Sequence, residues 1–126
     1  AEQKRIEAEQ QKQTQLDRAL TQTYTTEAEI DLARDRALEH HKLAIKGAEI
    51  RGKAVEANLA ELKARIANIE KVGRPVSPNL KEQLNQVTRE SLDLKRTILN
   101  NEEAMVQVGE KYAADKLRFR VLTGKP

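Results

Sequence analysis

Gly73-Arg74-Pro75-Val76-Ser77-Pro78-Asn79 is the stretch on which the fold turns. Two prolines and a glycine so close together end a helix. Ser77 is a good N-cap, and Pro78 then falls at the first helical position, where its missing N–H costs nothing. Asn79 with Glu82 offers a competing cap at capping-box spacing. Upstream, no proline stands between Thr26 and Val72. Downstream, the next proline is Pro126, with Gly124 placed as a stop. The pattern predicts helices over about 26–72 and about 78–122, a turn at about 73–77 and a short tail at 123–126.

Both helices carry a seven-residue apolar repeat. In the first, Leu38, Ile45, Gly52, Leu59 and Ile66 form one line, and His41, Ala48, Val55, Leu62 and Ile69 the other. In the second, Leu84, Ser91, Ile98, Met105, Tyr112 and Phe119 alternate with Leu80, Val87, Leu94, Asn101, Val108 and Asp115. These are the a and d positions of a left-handed coiled coil. Folding at the turn predicts an antiparallel helical hairpin over 26–122. One register sets Ile69 against Leu84, Leu59 against Leu94 and Val55 against Ile98. It also sets Ala48 against Met105, Ile45 against Val108 and His41 against Tyr112. In that register Leu62 faces Ser91 and Gly52 faces Asn101, a seam Asn of the kind that fixes register. Toward the open end the match fails, with Leu38 facing Asp115 and Arg34 facing Phe119. Either the helices splay there, the seam shifts, or another segment covers Phe119, with Leu16, Leu20 and Tyr24 the candidates.

A second apolar line runs outside the seam. It comprises Leu43, Gly47, Ile50, Ala54, Ala57 and Ala64 on the first helix, and Leu92, Leu99, Val106 and Ala113 on the second. A lone hairpin leaves both lines wet, and exposed apolar surface of that length marks an interaction site. The expectation is an all-α chain whose hairpins pair, most simply as a two-fold dimer forming a four-helix bundle.

The N-terminal 1–25 is a Gln/Glu-rich extension whose large apolar residues are Ile6, Leu16 and Leu20. It predicts a helix over about 2–22 with little to bury. Thr26 and Glu29 have capping-box spacing. This leaves two readings: a new helix starts there, or one helix runs straight through.

Composition excludes much else. Aromatics are 2% of the 126 residues, which leaves few large anchors for a compact enzyme core. No apolar run is long enough to span a bilayer. With no Cys, thiolate chemistry and zinc–sulfur sites are impossible. The 23 basic and 20 acidic residues give a mixed surface rather than the basic face of a nucleic-acid binder. Glu39-His40-His41 is a poor metal site, because adjacent residues point about 100° apart on a helix; Asp35 and Glu39 one turn apart make a weak site with His40 conceivable. His41 reads as a seam residue beside Tyr112, and His40 as an exposed one. No phosphate-binding loop or nucleophile elbow is present, and neither enzyme activity nor a cofactor is expected. Lys111, Lys116, Arg118, Arg120 and Lys125 form a mildly basic C-terminal run. That run either complements the helix dipole or meets phosphate or an anionic membrane surface.

Three stretches carry a family resemblance. They are Ala19-Leu20 with Tyr24-Thr25-Thr26-Glu27-Ala28-Glu29-Ile30-Asp31 and Ala33-Arg34-Asp35-Arg36-Ala37-Leu38, then Gly73-Arg74-Pro75-Val76, then Tyr112-Ala113-Ala114-Asp115-Lys116-Leu117-Arg118-Phe119-Arg120-Val121-Leu122. Together they resemble the helical region of proteobacterial envelope proteins of unknown function. In those, a signal peptide and a small β-rich domain come first; neither is in this chain, which begins at Ala1, as expected of a processed product or part of a longer one. The resemblance implies a periplasmic location and brings no activity and no catalytic residues. The expected function is a non-enzymatic structural or interaction module, an oligomerising scaffold or adaptor. The alternative is a binder of nucleic acid or an anionic membrane surface through the C-terminal run.

Overall fold

The computed structural model describes residues 1–124 and is all-helical, with no strand among them. The helices are α1 (Glu2–Thr23), α2 (Glu27–Lys71) and α3 (Pro78–Thr123). None of the three is long and apolar enough to cross a membrane.

Local chemistry explains each boundary. Tyr24 is extended, at φ −119° and ψ 140°, and ends α1. The Glu29 N–H then donates to Thr26 Oγ1 at 3.3 Å, while the Glu29 carboxylate accepts from the Thr25 N–H at 3.0 Å. This is a capping box whose return bond lands one residue early, and it starts α2 afresh. At the other end of α2, Gly73 adopts φ +77°, which lets the Arg74 N–H reach the Ile69 carbonyl and the Gly73 N–H reach that of Glu70. That pair of bonds is a Schellman cap, and the left-handed residue it needs is the reason for a glycine there. Ser77 Oγ accepts from the Leu80 N–H at 3.1 Å, so Ser77 caps α3 in preference to Asn79.

Contacts divide the chain into two units: Ala1–Glu39 with Met105–Pro126, and His40–Ala104. α1 therefore belongs with the start of α2 and the end of α3, not to a unit of its own.

In the unit His40–Ala104, side chains of α2 meet those of α3 in reverse order. His41 bonds Asn101, Arg51 pairs with Glu90, and Glu56 meets Ser91 and Lys95. The core here is Ala48, Val55, Leu59, Leu62 and Leu80. The register departs from the one expected from the heptads. Ser91 meets Glu56 rather than Leu62, and Asn101 meets His41 rather than Gly52. The slip is about one heptad, which keeps every apolar residue on the seam. It also gives both polar seam residues polar partners, and buried polar groups demand partners.

In the other unit, Ile30 is fully buried and Phe119 is 3% exposed. Beside Phe119, Arg118 donates two hydrogen bonds to Asp17 of α1, at 2.9 and 2.8 Å. α1 thus lies against the end of α3, although none of its own residues is buried. Arg34, expected opposite Phe119, instead pairs with Asp31 and Asp35.

Candidate interaction surface

The apolar side chains sort into two populations. Each expected seam residue is buried or half-buried: Leu38, Ile45, Val55, Leu59, Leu62, Ile66 and Ile69 on α2, and Leu80, Leu84, Val87, Leu94, Ile98, Met105 and Val108 on α3. Each residue of the outer line is exposed: Leu43, Gly47, Ile50, Ala54 and Ala57 on α2, and Leu92, Leu99, Val106 and Ala113 on α3. Leu43, Ile50, Leu92 and Leu99 keep between 56% and 63% of their surface. Leu32, Leu117 and Val121 are also exposed, and lie off the outer line read from the heptads. Ile30 was missed as a core residue because it stands one position off the heptad line.

The outer line is not one face. Two ion pairs mark the two sides of the seam in the unit His40–Ala104. Arg51 and Glu90, 2.7 Å apart, are both g positions; Glu56 and Lys95, 3.6 Å apart, are both e positions. Leu92 and Leu99 are b positions, adjacent to e, and lie on the Lys95 side. Gly47 and Ala54 are c positions on the Arg51 side, and Leu43 and Ile50 are f positions on the back of α2. Within this unit, Leu92 and Leu99 therefore lie on the opposite side of the seam from Gly47 and Ala54. Seven-residue spacing alone does not reveal this, because it reports a line on each helix but not how the two helices are turned.

The Lys95 side is recessed. With only hydrogen at Gly52, a groove of about 480 Å³ opens over Ala48, Leu94 and Ile98, rimmed by Glu49, Lys53, Glu56 and Lys95. Ser91, the one buried polar residue among those described, donates its hydroxyl to Glu56. That bond, and then the Lys95 ammonium, hold the Glu56 carboxyl below the usual range.

The basic C-terminal run is committed within the chain. Lys116 pairs with Asp31 at 3.1 Å, Arg118 with Asp17 at 2.8 Å and Arg120 with Glu27 at 2.8 Å. Lys111 pairs with Asp115 and lies 4.4 Å over the Tyr112 ring. Lys125, the fifth member, lies outside the described residues.

His41 Nδ1 lies 2.7 Å from Asn101 Oδ1, and Asn101 Nδ2 donates to the Thr97 carbonyl at 2.8 Å. Asn101 is thereby satisfied at both ends, as a register-fixing polar contact requires. Among the described residues no three His, Asp or Glu side chains are grouped to hold a metal ion. Compared with family models, with curated proteins and with solved structures, the chain matches none.

Proposed function

We propose that this chain is a non-enzymatic structural or interaction module. Its two long helices form an antiparallel coiled-coil hairpin that pairs with a second copy as a two-fold dimer, a four-helix bundle serving as scaffold or adaptor. The bacterial envelope is the location implied by the sequence resemblance. The observation that carries the reading is the sorting of apolar residues into an inner line that is buried or half-buried and an outer line whose large residues are left more than half exposed. Outer leucines at heptad spacing serve no purpose in a solitary hairpin and supply a seam when a partner is present. The shifted carboxylates agree with the non-enzymatic part: Asp17, Glu27 and Glu56 are each lowered by a hydrogen-bonding partner and so held in the charged form, the opposite of what a general acid needs.

The second reading, a binder of phosphate-rich surfaces, is weakened by the ion pairs that occupy Lys111, Lys116, Arg118 and Arg120. Lysine-directed cross-linking of mixed light and heavy nitrogen-labelled protein tests self-association. Mixed-isotope peptides joining α2 to α3 of another copy are expected. Links confined to single-isotope chains overturn the reading. Retention on DNA or anionic vesicles at about 50 mM salt, lost steeply as salt rises, instead establishes the second reading.

A further inference from the structure

We infer that a second copy of this chain docks on the Glu56–Lys95 side of the unit His40–Ala104, seating Leu99 beside the recess at Gly52. This rests on the self-association proposed above and fixes the face that performs it.

A two-fold interface is made of one patch meeting itself, so projection and recess must share a face. On the Lys95 side they do. Leu99 is 61% exposed, and the apolar surface runs from Ile98 and Lys95 onto it. The Gly52 groove opens on the same side, walled by Ala48, Leu94 and Ile98. The opposite side carries the small residues Gly47 and Ala54, while Leu43 and Ile50 stand on the back of α2.

Charge agrees with the same pairing. The Ser91–Glu56 bond sets the relative heights of the two helices and brings Lys95 level with Gly52. A two-fold axis along the helices lays α3 of one copy over α2 of the other at equal height. Lys95 then enters between Glu49 and Glu56 of the second copy, and Glu102 comes level with Lys42 and Lys46. Leu99 arrives over Ala48, at the edge of the recess. Each contact occurs twice, and each sets opposite charges or apolar surfaces together. Such complementarity favours this face and register.

Sedimentation velocity on the full chain tests the inference, with circular dichroism confirming helix content for each variant. The wild type and Ile50→Glu are expected to sediment as dimers with the same midpoint. Leu99→Glu is expected to raise the dissociation midpoint about tenfold or more, since it places an unpaired charge in a buried contact. Gly52→Leu fills the recess from within and is expected to do the same. A Cβ at Gly52 meets nothing within 4 Å, and the circular dichroism of that variant reads whether the rest of the leucine is accommodated. A dimer that resists Leu99→Glu and Gly52→Leu but dissociates with Ile50→Glu overturns the face and leaves self-association standing. A monomeric wild type overturns both.

Discussion

Asp17 accepts two hydrogen bonds from Arg118, and through them α1 is tied to the last turns of α3. The contact joins residues that no local pattern links, and it is made at the surface, by the residue that precedes the buried Phe119. The hydrogen bonds from Arg118 hold the Asp17 carboxyl below its usual range, against an opposing push from burial. Arg120 does the same for Glu27.

An acid dependence follows from the direction of those shifts. A carboxylate whose folded pKa is depressed contributes stability that is fully present above its unfolded value, about 3.9 for Asp and about 4.3 for Glu. That contribution is lost as pH falls through the folded values. The melting temperature is therefore expected to fall as pH drops below about 4, and Asp17→Asn should flatten the fall. Parallel melting curves for wild type and Asp17→Asn across that range would count against the account.

Two glycines should respond with opposite signs. Gly73 sits at φ +77°, so Gly73→Ala strains the cap and should cost about 1 kcal/mol. Gly52 lies inside α2 with open space around it, so Gly52→Ala should stabilise by about 1 kcal/mol through helix propensity. Urea midpoints shifting in the same direction for both would contradict the assignment of the turn.

The N-cap of α3 gives a third test. Ser77→Ala removes the acceptor for the Leu80 N–H and should cost about 1 kcal/mol. Ser77→Asp should retain most of that stability, because its carboxylate caps equally well. Equal destabilisation by both would show that the hydroxyl acts in some other way.

Seam and surface can be separated by truncation. Leu59 is 8% exposed, and Leu59→Ala should cost about 2–4 kcal/mol. Leu59→Asp buries a charge without a partner and should abolish the cooperative melt. Leu43, 59% exposed, should tolerate Ala within about 0.5 kcal/mol. A melt indifferent to Leu59→Asp would remove the seam.

Helix boundaries were legible because proline, glycine and capping residues act locally. Gly73, Ser77 and Thr26 each mark an end through one or two hydrogen bonds. The apolar repeat is local as well, a property of each helix alone, and the residues on it are buried or half-buried. The register between helices was not legible. A slip of seven residues leaves the apolar pattern unchanged, and only sparse polar positions break the tie. Ser91 and Asn101 break it by finding Glu56 and His41. Setting them opposite Leu62 and Gly52 satisfied the spacing but left the polar atoms without partners. The packing of α1 was only half visible: an uncovered Phe119 called for a covering segment, but the Asp17–Arg118 pair spans most of the chain and has no sequence signal. Ile30 escaped for a similar reason, standing off the heptad line in the unit that α1 completes.

Self-association is the central claim, and the solution mass tests it most directly. Light scattering over a tenfold range of protein concentration should return twice the 14.3 kDa chain mass at the upper end. A mass that stays at that of one chain throughout would contradict the account.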